Sequence, residues 1–420
     1  MASSSSNNKI GIIGGGVIGL CSAYYLLKEG YEVTVFDQGD ISFGCSYLNA
    51  GMIVPSHIVP LAAPGVVGKG IKWMFKSDSP FAFHVSLRKD LLRWIWLFNR
   101  SANTKNVQQA IPYLRDISWL SKSLYQQFAK TNGFDFGYAE RGLMMLYQTL
   151  AAEQEEMITA KLANEAGVKA DILSAGEVQK LEPELKVNSR GGIYFPGDAH
   201  IEPGKFMREM FNYLKNAGIS FITNTTVSNI EYNQSGVKLI TGNGDYVFND
   251  IVIACGVFSG LLLKNRGVSL PLQGGKGYSF TLENRIKNIH IPSILIEGKV
   301  AVTPMGNKLR VSGTMEIGNN SSHINENRIK GILNTLFQFY PELQGIKIDK
   351  EQISSGLRPC SPDGLPYIGK LKNFAHITLA TGHGMMGMSL GPATGKLVSE
   401  IIAGKPGSMD IKAFNPERFS

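Results

Sequence analysis

Apolar positions along this chain fall into short unbroken runs, alternating stretches and three-to-four periodic stretches, and the order of these patterns predicts the elements. Ile10 to Ile13 is a short apolar run of the kind buried in a parallel sheet, followed at once by Gly14-Gly15-Gly16-Val17-Ile18-Gly19. Leu20, Ala23, Tyr24, Leu26 and Leu27 then recur at helical spacing, Gly30 marks the helix end, and Glu32 to Phe36 reads as a second strand. From Ile111 to Asn164 the period is mostly helical (Tyr113, Leu114, Ile117, Leu120, Leu124), interrupted by a strand over Gly142 to Tyr147. Ser174 to Leu185 predicts a helix capped by Ser174 with Glu177 three residues on. A strand over Gly192 to Phe195 leads to a helix over Gly204 to Ala217. Short strands follow at Ser220 to Thr223, Val227 to Tyr232, Gly236 to Thr241 and Asp245 to Phe248. Asp250 to Ala254 is another buried parallel strand, ending in Cys255-Gly256. Pro271 to Phe280 and Lys299 to Gly313 add strands of a second domain. Ile377 to Ala380 is the last buried strand, and a helix from about Gly391 to Ala403 would carry Pro392 in its first turn.

The opening strand, glycine turn, helix and strand form a dinucleotide cradle. Gly14 permits the tight turn, Gly16 lets a pyrophosphate approach the backbone, and Gly19 lets the helix lie close on the strand. Val17 and Ile18 open the helix, whose free N–H groups and dipole favour phosphate. Asp37 stands eighteen residues past Gly19 (37 − 19), beside Gln38, where an acid accepts hydrogen bonds from ribose hydroxyls and repels a 2′-phosphate. That argues against NADP; the fingerprint alone does not separate FAD from NAD. No second fingerprint occurs, so no NAD(P)H site is evident.

At 420 residues, two domains are expected. The formal charge of +8 suits a basic surface around an anionic substrate and cofactor as well as it suits nucleic acid. Cys21, Cys45, Cys255 and Cys360 show neither metal-ligand spacing nor a disulfide framework, so no metal is expected. Met1 to Asn8 is polar and serine-rich, expected to be a short lead rather than a signal peptide, and no run reaches the length of a membrane span. Gly70 to Arg100 interleaves Trp73, Phe75, Phe81, Phe83, Trp94, Trp96 and Phe98 with Lys72, Lys76, Arg88, Lys89, Arg93 and Arg100. Core packing with solvated basic edges is the first reading. The sharper one is a patch that docks on anionic lipid, where a quinone collects electrons.

Two further stretches carry a specific likeness. GCSYLNAGMIVPSHIVPLAAPG with IKWMFKSDSPF, and the GLRP…DG.P.IG pattern within Ser355 to Gly369, resemble bacterial D-amino acid dehydrogenases and their D-hydroxyproline-oxidising relatives. These belong to the D-amino acid oxidase and glycine oxidase superfamily of FAD enzymes. The resemblance implies an α/β fold in which a Rossmann-like FAD-binding domain of the glutathione-reductase type is interleaved with an antiparallel-sheet substrate domain. The FAD-binding domain would take residues 1–56, 190–264 and 345–420, and the substrate domain 57–189 and 265–344. Cys45, Ser46, Asn49, Ala50 and Gly51 would run beneath the flavin and its phosphates. Val227, Cys255 and Gly256 would edge the cofactor, and Gly382, His383, Gly384, Met385, Met386 and Gly387 would bring a second helix N-terminus to the flavin, which decides FAD over NAD.

Arg358 would bind a substrate carboxylate through its planar fork; Tyr278 and Lys276, in a stretch matching KGYS, would offer a hydroxyl to that carboxylate and an ammonium near the flavin. The implied reaction is oxidative deamination of a small D-amino acid or a D-hydroxyproline-like imino acid, with hydride passing from Cα to flavin N5 of a non-covalently held FAD. Electrons would go to a membrane quinone or another acceptor. The implied location is cytoplasmic, with peripheral contact on the inner face of the membrane through 70–100. A glycine or sarcosine type oxidase and an RNA-modifying flavoprotein are the alternatives; no spare length exists for an RNA-binding module, so no nucleic-acid partner is expected.

Overall fold

The computed structural model describes residues 8–64, 79–84, 88–131, 133–233, 236–264 and 266–420. Strand Lys9–Ile13 lies at its centre, paired in parallel with Glu32–Phe36 on one side and Asp250–Ile253 on the other. Ile10 and Ile12 are fully buried, which is why the run reads as continuously apolar rather than alternating. The complete sheet runs Tyr367–Leu371, Phe374–Thr381, Asp250–Ile253, Lys9–Ile13, Glu32–Phe36, Ser220–Ile222. It thus gathers strands from three distant stretches of chain. Only the edge strand Tyr367–Leu371 is antiparallel.

Helices Val17–Lys28 and Gly387–Ala403 pack on one face of this sheet, side by side and very close. A methyl group at Gly395 would sit 2.4 Å from the Cys21 carbonyl carbon, and one at Gly391 would sit 2.8 Å from Val17 Cγ2. The last helix begins at Gly387, one turn earlier than the sequence suggests, so Pro392 lies inside it rather than in its first turn. Proline at 392 leaves the Met388 carbonyl without its helical N–H, and the Tyr125 hydroxyl donates to that oxygen instead, at 2.6 Å. The other face is covered by the meander Val227–Asn233, Gly236–Thr241, Gly244–Phe248. Phe248, Ile230 and Leu239 pack there against Ile13, Ile251 and Ile253.

A second sheet of nine strands follows the order Ser354–Cys360, Gln273–Leu282, Lys308–Ile317, Val300–Met305, Ser293–Leu295, Leu143–Tyr147, Gly191–Phe195, Asp171–Ser174, with Phe81–Phe83 added beside Lys308–Ile317. Gly191–Phe195 and Ser354–Cys360 come from stretches that the sequence reading placed in the cofactor domain; both pair in this second sheet. Phe280, Val302 and Val311 on one face meet Ile332 and Leu336 of helix Glu326–Phe339. On the opposite face the register aligns Ser279, Ser312, Ala301, Ile294 and Met145 across five strands, and this row looks toward the first sheet. Helix Ala175–Leu181 carries the reciprocal Ser174–Glu177 cap that its sequence announced.

Of the aromatic stretch, Trp73 and Phe75, with Lys72 and Lys76, lie outside the described residues. Helix Lys89–Ser101 buries Trp94 and Phe98 in stacked contact at 5.0 Å, and Trp94 Nε1 donates to the Cys360 carbonyl at 2.9 Å. Its outer face exposes Leu92 (46%) and Trp96 (58%).

Candidate active site

Between the two sheets lies a cavity of about 1720 Å³. Its floor is the end of strand Lys9–Ile13 and the turn that follows, where Gly14 takes φ +110° and Gly19 comes so close that a methyl group would sit 1.8 Å from the Gly14 carbonyl oxygen. A side chain is therefore excluded at Gly14 and Gly19, and Gly14 to Ile18 border the cavity. Asp37 accepts from the backbone N–H of Gly15 at 2.7 Å and of Gly39 at 2.8 Å, which pins its carboxylate at the rim beside Gln38. Ser46 Oγ accepts from Val17 N at 3.0 Å. Cys45, Ser46, Asn49, Ala50, Val227, Cys255, Gly256, His383, Gly384, Met385, Met386 and Gly387 all line the same space. Gly51 and Gly382 do not; they serve by close packing, a methyl group at 51 falling 2.3 Å from the Ile201 oxygen and one at 382 falling 2.7 Å from the Tyr367 ring.

Above this floor, Arg358 projects from strand Ser354–Cys360 into the cavity. Its guanidinium lies flat on Gly277 of the neighbouring strand, where a Cβ would be 2.0 Å from Nη1. Nη1 donates to the Thr314 carbonyl at 2.7 Å. That carbonyl is aimed by a bulge: Thr314 and Met315 together oppose the single residue Gly277, and Thr314 takes φ +66°, a strained conformation for a β-branched residue. Among the described residues no carboxylate pairs with Arg358. Burial lowers its pKa from the ordinary value, yet a guanidinium keeps its charge in a protein, so a cation stands in this cavity with most of its donors unspent.

Register separates the other two polar candidates from it. Gly275 and Gly277 oppose Arg358 and Gly356, whereas Lys276 and Tyr278 oppose Leu357 and Ser355, so their side chains leave the sheet on its other face. The Tyr278 hydroxyl donates to Glu316 at 3.3 Å. Glu316 also accepts from Arg328 Nε at 2.9 Å and Asn319 at 2.7 Å. Burial, and after it the Glu316 carboxylate, raises the Tyr278 pKa to about 12. Lys276 donates to the His323 carbonyl, is 1% exposed and does not line the cavity. The structure therefore does not bring Lys276 or the Tyr278 hydroxyl to Arg358.

Residues 9–401 match the family described as FAD dependent oxidoreductase (DAO). The chain belongs to this family. It is 32% identical over 394 residues to a D-amino acid dehydrogenase of Helicobacter pylori, covering 93% of each chain. It is 30% identical over 421 residues to a D-amino acid dehydrogenase of Bradyrhizobium diazoefficiens, covering 98% of this chain and 99% of that one. Among solved structures, glycine oxidase from Geobacillus kaustophilus superposes with a TM-score of 0.79 at 23% identity, over 98% of this chain and 100% of the other. Iminodiacetate oxidase from Chelativorans sp. BNC1 superposes at 0.70 and 21% identity, over 97% and 98%. The mixed fold expected from the sequence is the fold of this FAD family.

The residues present fit FAD. Neither helix Val17–Lys28 nor helix Gly387–Ala403 is capped by its own N-cap residue or carries an acid in its first turn, and Ser46 takes only the Val17 N–H, so neither helix neutralises its own N-terminal dipole. Both start at the cavity wall. The glycine turn suits the pyrophosphate, the Asp37 and Val227 end suits the adenosine, and the Gly384–Gly387 end suits the flavin. His383 is buried, its Nε2 is 3.0 Å from Thr394 Oγ1, and burial drives its pKa down to about 3, so it stands there as a neutral structural ring.

Sequence reading missed a second polar group in the DAO cavity. His57 Nδ1 is 3.1 Å from Ser56 Oγ, and Ser56 Oγ donates to Asp198 Oδ2 at 2.5 Å while Ser56 N donates to Asp198 Oδ1 at 3.0 Å. Asp198 is fully buried, and burial pushes its pKa up to about 7 against those hydrogen bonds. Burial, and after it the Lys299 cation, lower His57 to about 4. Lys299, Glu156 and His57 line the cavity together. Nothing local in PSHIVP or in PGDAHIEP marks these residues, because they meet only through tertiary packing.

Proposed function

We propose that this flavoprotein oxidises a small D-amino acid, or a cyclic imino acid of the same hand, to the corresponding imine, which water converts to a 2-oxo acid or which leaves as a cyclic imine. The observation that carries the reading is Arg358: a cation in the cofactor cavity, laid on a glycine and pinned by one carbonyl, with donors left for a carboxylate. The names of the relatives support the substrate class. Bound FAD supplies the two-electron acceptor for the Cα hydrogen.

The chain's own residues orient and enclose. Arg358 fixes the substrate carboxylate bidentately, which orients the Cα–H bond. The Ser279–Ser312–Ala301 row roofs the reacting centre with small side chains, leaving room for a ligand. The substrate amine must be neutral for its lone pair to assist departure of the hydrogen, so rate is expected to rise with pH as the free amine becomes available. For the electron acceptor we place a membrane quinone ahead of oxygen: Leu92 and Trp96 stand exposed on helix Lys89–Ser101, with Arg100 over the Trp96 ring at 5.5 Å, a pairing suited to a lipid interface. No described helix is long and apolar enough to cross a membrane.

The test is anaerobic mixing of the FAD-loaded protein with D- and L-amino acids. Bleaching of the flavin by D-amino acids and not by L supports the reading; bleaching by L-amino acids alone, or by none, defeats it. Peroxide formation at the full turnover rate in air would replace the quinone with oxygen. Equal pelleting of wild type and a Leu92→Ser, Trp96→Ser variant with anionic liposomes would remove the lipid contact.

A further inference from the structure

We propose that His57 and Lys299 form the far end of the substrate pocket and select amino acids that carry a side-chain hydroxyl. The proposal rests on the amino-acid oxidation reading above and names its substrate class.

With Asp198 ionised, geometry sets the hydrogen-bonding state of His57. Asp198 accepts from both the backbone N–H and the hydroxyl of Ser56. With its hydrogen spent on Asp198, Ser56 Oγ accepts from His57 Nδ1–H at 3.1 Å. The Nε2 atom is then the lone-pair nitrogen, and it makes no hydrogen bond among the described residues. The ring borders the cavity. Burial, and after it the Lys299 cation, holds His57 neutral, so this nitrogen is an acceptor and not a cation.

Lys299 supplies the opposite property. It sits at φ +48°, a backbone conformation rare for a residue with a side chain. It lies two residues before Ala301 of the cavity-facing row, and its side chain lines the cavity. Glu156 is 3.9 Å from its ammonium, at the outer limit of an ion pair, which leaves ammonium hydrogens for a ligand.

Three strand spacings, about 14 Å, separate the strand of Arg358 from the strand that Lys299 opens. That is a backbone separation; Arg358 and Lys299 both line the cavity from these strands, and in the proposal a small amino acid, with a hydrogen bond of about 3 Å at either end, bridges their side chains. With its carboxylate on Arg358, its side chain reaches a neutral acceptor beside a cationic donor. A hydroxyl satisfies both at once, donating to His57 and accepting from Lys299. A second ammonium would be repelled by Lys299, a carboxylate would face the His57 lone pair and Glu156, and an alkyl group would leave both polar groups unpaired. Sites built to bond a hydroxyl discriminate strongly against the analogue that lacks it.

The experiment compares flavin reduction in the FAD-loaded protein for pairs differing by one hydroxyl: D-serine and D-alanine, D-homoserine and D-2-aminobutyrate, 4-hydroxy-D-proline and D-proline. The buffer is more alkaline than the titration of Asp198. For the pair of matching length we expect kcat/KM to favour the hydroxyl member by about tenfold or more. His57→Leu and Lys299→Met should each bring that ratio toward one, and His57→Gln, which keeps an acceptor, should retain part of it. Lys299 is exposed enough that its variant tests the idea even if His57→Leu folds poorly. Ratios near one for all pairs in the wild type, or a preference unchanged in Lys299→Met, would overturn the proposal while leaving amino-acid oxidation standing. Failure of every pair to bleach the flavin would sink both together.

Discussion

A single guanidinium carries the functional reading, and its surroundings show what holds it. Arg358 rests on Gly277 and donates to a carbonyl that only a bulge with Thr314 at φ +66° can aim. Two substitutions separate charge from placement. Arg358→Met removes the cation and is expected to lower kcat/KM for a D-amino acid by about 100-fold or more, the scale of a lost charge-assisted bidentate pair. Flavin absorbance should be retained, because the glycine turn and both helix ends are untouched. Gly277→Ala keeps the charge but puts a methyl group 2.0 Å from Nη1, so the guanidinium must move. The loss should be comparable and should appear in KM as well as kcat; an alanine variant with wild-type KM would show that the carboxylate is held elsewhere.

At the scale of the element, very close packing joins the two helices whose N-termini border the cofactor cavity. Gly395 against Cys21 leaves no room for a methyl group, and Pro392 costs the Met388 carbonyl its helical partner, which Tyr125 replaces. Tyr125→Phe leaves that buried carbonyl bare and should destabilise the holoprotein by about 1–3 kcal/mol. Urea denaturation followed by flavin fluorescence measures it, and a midpoint equal to wild type would mean that water takes the hydroxyl's place. The cradle was legible because each part of it is local: an apolar run, three glycines, a periodic helix and an acid at fixed distance. The GLRP likeness singled out Arg358, which the structure places in the cavity. The side chains of Lys276 and Tyr278 were not, because which face they take depends on register across two strands and on a bulge in a third. Pro392 misplaced the last helix start for a related reason, since the tolerance for an internal proline comes from Tyr125, more than two hundred residues away in sequence.

At the scale of the whole molecule, buried acids and buried histidines among the described residues set opposing pH dependences. Asp198 and Glu182 are each raised to about 7, in both cases mainly by burial; Glu182 accepts from the backbone N–H groups of His290 and Ile291 at 2.7 Å. His57 and His200 are lowered to about 4 and His383 to about 3, again mainly by burial. Between the ordinary carboxylate range and pH 7, the folded acids hold protons that the unfolded chain has released, so stability falls as pH rises. Between about 4 and the ordinary histidine value near 6.5, the unfolded histidines hold protons that the folded ones refuse, so stability rises with pH. The two effects oppose each other below the ordinary histidine value; above it only the acids among these groups still contribute, and their contribution falls as pH rises. Asp198→Asn removes one of the falling contributions while an amide still accepts from Ser56 N and can donate to Ser56 Oγ. The difference in Tm between variant and wild-type holoprotein should therefore shift in the variant's favour by a few degrees from pH 5 to pH 8, and taking that difference cancels the pH dependence of FAD binding itself. A difference that stays constant over this range would mean that Asp198 is already ionised at pH 5. Its hydrogen bonds to Ser56 would then outweigh its burial, and the His57 Nε2 lone pair would face the cavity throughout.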